Sequence, residues 1–246
     1  MKDNFPTQAA EYARFRPGYP PELFSFLFQH CSHFECAWDC ATGNGQIATQ
    51  LAERFQHVEA TDISGNQLKN ATAHPRVRYS VQPAETPLFE AATFDLIVVG
   101  QAAHWFDFDR FYPQARRVNK PGGLLALVGY NLLMFDDALV DDLIQHLYSN
   151  VLGTYWDPER RHIDAEYTTL PFPFEEIAFP EMSMRYDWTR DHLIGYLGTW
   201  SALQHFTRQT DKSPMDEAFL EALGVVWPGS AVKQVRFPIF GRVGIR

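Results

Sequence analysis

The chain is poor in cysteine. Its 246 residues hold three, Cys31, Cys36 and Cys40, an odd number that cannot make a disulfide framework. His30 and His33 lie near them, but the close CxxC pairing of most zinc sites is missing, so no metal is expected. Cations are outnumbered, 21 basic residues to 30 acidic, for a net charge of −9. Nucleic-acid enzymes usually present a basic surface, so nucleic acid is not an expected partner. No apolar run approaches the roughly 18 residues of a membrane span, and no membrane partner is expected. The first residues lack the apolar stretch of a signal peptide, which makes the cytoplasm the expected compartment. Internal repeats and low-complexity tracts are also missing.

Hydrophobic residues make up 46% of the chain and charged residues 21%, values of a globular protein. Aromatics reach 15%, more than a core built on aliphatics needs, so some rings are expected to line a pocket. Residues 21–30 read as a helix with proline in its first turn. Strands and helices then alternate: strands near 35–40, 57–62, 76–82, 94–99 and 124–129, helices from about Gly45, at 64–73 and at 108–118. Phe94 to Val99 is nearly unbroken apolar sequence, as expected of a strand covered on both faces. This βαβαβ order specifies an α/β fold, a doubly wound, mostly parallel sheet of seven strands. From 131 to 225 the pattern turns helical and aromatic, as in Asp137–Leu147 and Asp191–Phe206, with one strand near 182–188. We read four parts: an arm and first helix (1–30), a ligand-binding core (31–130), a cap over the sheet's ligand edge (131–225), and a closing strand (226–246). The acids Asp136, Asp137, Asp141 and Asp142 read as a solvated helix face.

The chemistry concentrates in Asp39-Cys40-Ala41-Thr42-Gly43-Asn44-Gly45-Gln46. It reads as a strand end, a tight turn and a helix start. Gly43 and Gly45 lack a Cβ, so a ligand can touch the backbone there. Asp62, ending the next strand, suits a ribose diol. Gly43 to Ala48 also fits the dinucleotide fingerprint G-x-G-x-x-A, which keeps an NAD(P)-dependent oxidoreductase as an alternative. Asp39 and Glu85 argue against it. Acids after three consecutive strands suit a donor-rich nucleoside with a cationic group better than a pyrophosphate.

Asp39-x-Ala41-x-Gly43-x-Gly45 resembles motif I of the class I S-adenosylmethionine (SAM)-dependent methyltransferases. Glu59 to Ser64 resembles motif II, Ala84-Glu85 with Phe94 to Val98 the next block, and Asn119 to Gly123 the turn before strand five. Tyr12 to Pro17, Gln101 to Phe106, Thr199 to Ala202 and Phe237 to Arg242 resemble a subgroup that includes trans-aconitate methyltransferase-like enzymes. The family's first motif I glycine is Ala41 here, tolerated if that residue keeps negative φ.

The resemblance implies SAM as cofactor, S-adenosylhomocysteine as product, and these roles. Ala41, Gly43 and Gly45 approach the methionine part, whose carboxylate is helped by the following helix's N-terminus. Asp62 binds the ribose and Ile63 packs on adenine. Ala84 or Glu85 addresses the adenine edge. Gln101 borders the sulfonium, Asp39 orders the loop, and Tyr12 with Arg14 folds over as a lid. The acceptor chamber would use His104, Trp105, Tyr130 and Trp200, whose rings stabilise a cation by about 0.5–2 kcal/mol each.

Holding a nucleophile in line with the C–S bond can supply roughly 7–11 kcal/mol. A carboxylate acceptor needs no base, whereas a hydroxyl or amine would need one, with His104 the best-placed candidate. No Asn-Pro-Pro-Tyr amino-methylating motif follows strand four, which favours oxygen, carbon or sulfur acceptors over planar amides and exocyclic amines. The expected function is therefore methyl transfer to a small molecule, with a carboxylate oxygen as a candidate acceptor. Carboxylate recognition calls for an arginine, and Arg14, Arg16, Arg160, Arg161 and Arg185 are available. A SAM-binding regulator without turnover is the remaining alternative. The oligomeric state is not legible.

Overall fold

The structure, a computed structural model, describes residues 15–246. Tyr12 and Arg14 therefore lie outside the described residues. The elements run α1 (Pro21–Gln29), β1 (Cys36–Cys40), α2 (Gln46–Ala52), β2 (His57–Asp62), α3 (Gly65–Lys69), β3 (Val77–Val81), β4 (Phe94–Gly100), α4 (Phe108–Val118), β5 (Asn119–Tyr130) and β6 (Met134–Phe135). After them come α5 (Ala138–His146), α6 (Arg161–Asp164), β7 (Glu175–Ile177), β8 (Met182–Trp188), α7 (Arg190–Gly198), α8 (Ser201–Thr210), α9 (Glu217–Val226) and β9 (Lys233–Ile245).

The sheet runs β3-β2-β1-β4-β5-β9, with β9 antiparallel to β5 and the first five strands parallel. Among the described residues nine strand segments fill seven lanes. β6 continues the lane of β5 along β9, and β7 and β8 share the outermost lane on the other edge of β9. The expected seven-stranded sheet is thus present with two of its lanes broken, and β7 escaped the sequence because three residues are too few for a period.

Alternation along the strands sorts side chains to two faces. Leu96 and Val98 of β4 join Ala37, Leu124 and Ala126 against α1 and α2, around Leu23, Leu51 and Phe55. Ile97 and Val99 join Trp38, Leu125 and Leu127 against α4, around Phe111 and Tyr167. Each such aliphatic side chain contributes about 1.5–3 kcal/mol of burial. Both faces being covered explains the unbroken apolar run of β4. Asp95 breaks that run for a structural reason. It is buried, accepts from the N–H groups of Glu35 and Cys36 at 2.9 and 3.0 Å, and pairs with Lys120 at 2.8 Å, tying the start of β1 to β5.

A third core lies under residues 130–240, where Trp188, Tyr196, Trp200, Trp227 and Phe237 pack with α5, α7 and α9. Here two expectations need correction. The helix expected across 191–206 breaks at Thr199–Trp200, where Trp200 is extended (φ −72°, ψ 131°). Arg16 takes Thr199 as a partner through both Oγ1 (2.9 Å) and the carbonyl (3.1 Å), a long-range contact that competes with helix continuity. The acids at 136–142 are not all merely solvated. Asp137 caps α5 and pairs with Lys233, and Asp141 accepts from the Phe135 N–H at 2.7 Å. α3 ends at Lys69, earlier than expected, because Thr72 turns away to bond the Asn44 carbonyl at 3.2 Å.

Candidate active site

The turn between β1 and α2 alternates left-handed residues: Ala41 (φ 59°), Gly43 (φ 58°) and Gly45 (φ 83°). A Cβ on Gly43 would meet nothing within 4 Å, so the backbone lies open to a ligand there. A Cβ on Gly45 would instead collide with the Tyr79 ring, whose Cζ and Cε1 stand 2.9 and 3.0 Å away. Ala41 corrects an expectation, for its φ is positive and not negative. An L-residue in that region is strained by about 1–2 kcal/mol. α2 has only seven residues, so local N–H groups outweigh a macrodipole in what this turn offers an anion.

Two carboxylates hold the turn from below. Asp62 accepts from the Gly43 N–H at 2.9 Å and the Ser64 N–H at 2.8 Å. Asp39 is 1% exposed and accepts from Thr42 Oγ1. Burial pushes its carboxyl up to about 7, opposed by the Thr42 and Ala48 hydrogen bonds. Glu85, also buried, follows β3 and accepts from the Asp107 N–H at 3.2 Å. Ala84 beside it is buried, and Ile63 is half-buried.

Three cavities surround these groups. The first, about 80 Å³, is lined by Arg16, Tyr19, Ala41, Gly43, Gln101 and Tyr130, with other turn residues. The second, about 70 Å³, is lined by Arg16, Gln101, His104, Trp105, Trp156, Asp157, Arg160, Ile163 and Ser201. They share Arg16 and Gln101. The third, about 640 Å³, shares His104 and Trp105 with the second and reaches Glu85. A larger cleft of about 820 Å³ lies across β8 and β9, lined by Arg185, Arg236 and Arg242 among others. It shares no residue with the turn, so size alone does not find the site.

Gln101 closes β4 in a left-handed conformation (φ 51°). Its amide is clamped to Tyr130, accepting from the N–H at 2.8 Å and donating to the carbonyl at 3.2 Å. Arg16 donates to Tyr130 Oη at 3.0 Å and lies 5.3 Å from the Tyr196 ring centroid. His104 is 7% exposed, with Nδ1 3.4 Å from Tyr167 Oη. Burial, reinforced by the charges of Arg160 and His162, pushes its pKa down to about 3. The ring is uncharged at neutral pH and a weak base.

Of the residues expected in the acceptor chamber, His104 and Trp105 line the second cavity. Tyr130 lines the first one instead. Trp200 is 3% exposed and sits a layer behind, its ring centroid 5.4 Å from that of Trp156. Trp156 and Asp157 were missed, for nothing in their local sequence separates them from the surrounding helical pattern. Ser201 lies in a segment that did stand out. Among the arginines, Arg16 and Arg160 line the second cavity, while Arg185 lies on the remote cleft. No group of three metal-ligating side chains gathers among the described residues.

An α/β sheet in this order, with a glycine turn after its first strand and an acid after its second, defines a nucleoside-cofactor fold. Residues 38–127 match the methyltransferase domain family. A Dictyostelium discoideum protein named provisionally as a methyltransferase is 31% identical over 97% of this chain and 93% of its own. A Mycobacterium tuberculosis protein named as an uncharacterized methyltransferase is 32% identical over 72% of this chain and 68% of its own. A solved structure from Anaeromyxobacter dehalogenans, described provisionally as a type II methyltransferase, superposes with a TM-score of 0.86 at 40% identity, covering 94% of this chain and 98% of that one. The chain belongs to the class I SAM-dependent methyltransferases, and the oxidoreductase alternative is not favoured. Among the described residues no helix is long and apolar enough to cross a membrane.

Proposed function

We propose that the protein transfers a methyl group from SAM to a carboxylate oxygen of a small molecule, as the resemblance to the trans-aconitate methyltransferase-like subgroup suggests. The observation that carries this reading is the second cavity. It holds two guanidiniums, Arg16 and Arg160, beside a histidine too weakly basic to deprotonate an alcohol. An ionised carboxylate needs no base, and guanidinium recognises it well.

The turn fits the cofactor on its own chemistry. Gly43 leaves the backbone open, Asp62 offers carboxylate oxygens, and the buried Asp39 carboxylate favours a cation nearby. In this reading Ala41, Gly43 and Gly45 hold the methionine part, Asp62 the ribose, and Ile63, Ala84 and Glu85 the adenine. When bound, SAM supplies a methyl group already electrophilic on its sulfonium. The protein's task is placement. Arg16 and Gln101 border both small cavities, so they fix where the nucleophile meets the donor, and the Tyr130 clamp holds Gln101 rigid. Trp105, Trp156 and the neutral His104 exclude water and wall the acceptor.

The test supplies labelled SAM with a panel of small carboxylic acids. The expected product is a methyl ester whose label is released by mild alkali, formed at saturating SAM at a rate varying less than threefold from pH 8 to 9.5, above the Asp39 titration. An alkali-stable product, or a rate rising tenfold per pH unit, would exclude carboxylate methylation.

A further inference from the structure

Asp157 and Arg160 stand three residues apart in the second cavity, joined through the backbone (Arg160 N–H to the Asp157 carbonyl, 2.9 Å) but with no ion pair between their side chains. Arg160 is held from behind. Its Nε donates to Tyr148 Oη at 3.0 Å and lies 3.4 Å from Asp164, and its guanidinium sits 4.8 Å from the Trp156 ring centroid. Its terminal nitrogens make no hydrogen bond among the described residues, so four N–H donors remain. Asp157 has the opposite need. Its side chain is 12% exposed, and Oδ2 is buried with no hydrogen-bond partner. The closest cationic candidate, His205 Nδ1, stands 3.9 Å off and already bonds the Tyr155 carbonyl at 2.9 Å. A buried carboxylate lacking donors is destabilising, and the exposed remainder of this one borders the cavity.

The cavity therefore holds an acid short of donors and a guanidinium with donors to spare, kept apart by the fold. One ligand satisfies both if it carries an anion and, on the same small skeleton, a hydrogen-bond donor. We propose that the methyl acceptor is a small acid with a second, donating substituent, a hydroxyl or an ammonium, whose carboxylate meets Arg160 and whose donor meets Asp157. Asp157 then determines specificity without touching the transferred methyl. The about 70 Å³ of the cavity keeps both groups close, and a longer skeleton extends past His104 and Trp105 into the larger cavity. The inference rests on the carboxylate reading above.

The experiment titrates the protein, saturated with S-adenosylhomocysteine, with two acid series: propionate, lactate and alanine, then succinate, malate and aspartate. The hydroxy or amino member should bind at least tenfold tighter than its parent acid, and which of the two does so identifies the donor. Asp157→Asn should erase that preference while changing S-adenosylhomocysteine affinity less than twofold. Equal binding of the parent acids, no binding by any of the six, or a preference that survives in Asp157→Asn overturns the inference. Failure of the S-adenosylhomocysteine titration itself would instead strike the methyltransferase reading beneath it.

Discussion

The two small cavities that meet at Arg16 and Gln101 are built in opposite ways. The one at the glycine turn draws half of its lining from residues 41–47, a single stretch of backbone supported by the acid of the next strand. The one under the cap gathers Arg16, His104, Trp156 and Ser201, residues spread over most of the chain. A site made of local backbone tolerates few changes of sequence, because its conformation demands glycine, small residues and a fixed acid. A site made of side chains on distant elements can be rebuilt residue by residue without disturbing the turn. In the proposed reading the first cavity serves the family's cofactor chemistry and the second this chain's own acceptor.

That contrast predicts that mutations separate cleanly. The largest effect is expected of Asp62→Ala. It removes the acceptor for two backbone N–H groups at 2.8 and 2.9 Å as well as the proposed ribose ligand. Hydrogen bonds to a charged group contribute about 1.5–3 kcal/mol, so calorimetry should show S-adenosylhomocysteine affinity falling about 100-fold. A loss below threefold would break the comparison from the cofactor side.

Asp39→Asn comes next and depends on pH. Burial raises the Asp39 carboxyl to about 7, above its ordinary 3.8, so the folded state holds that proton more tightly than the unfolded chain. The Asp39 contribution to stability is fullest at low pH and is lost as pH rises from about 4 through 7. Asp39→Asn should be nearly neutral at pH 4 and stabilising by on the order of 2 kcal/mol at pH 8 in urea denaturation. An equal effect at both pH values would show that the carboxylate is not penalised by burial.

Arg160→Ala tests the other cavity. Once an acceptor is in hand, its KM should rise about tenfold, the equivalent of about 1.4 kcal/mol, with S-adenosylhomocysteine affinity unchanged within twofold. A change in cofactor affinity of tenfold would mean that the cavities are not separable. The smallest effect belongs to Ala41→Gly. Relief of the left-handed strain at φ 59° outweighs the greater entropy of an unfolded glycine by only about 0.5 kcal/mol, so Tm should rise by roughly 1–2 °C.

The same contrast explains what the amino-acid sequence disclosed. β1, β2 and β4, with the turn and Asp62, were legible because short apolar runs, glycine spacing and a terminal acid are all local signals. The conformation of Ala41 was not, since a left-handed alanine is imposed by the turn around it and leaves no mark in its own identity. Trp156 and Asp157 were hidden because they reach the second cavity only where residues 153–163 fold onto the end of β4. Nor did spacing reveal that Thr199 ends a helix by binding Arg16, 183 positions away. The His104-Trp105 pair stood out as aromatic sequence, but its burial, which decides whether His104 acts as a base, is a tertiary property.

The most direct test of the account is a crystal structure of the protein with S-adenosylhomocysteine. The account predicts a ribose on Asp62 and a sulfur directed between Gln101 and Arg16, facing the cavity of Trp105, Trp156 and Arg160. A sulfur directed instead toward the remote cleft of Arg185 and Arg236, or sealed against protein with no path to the second cavity, would contradict it.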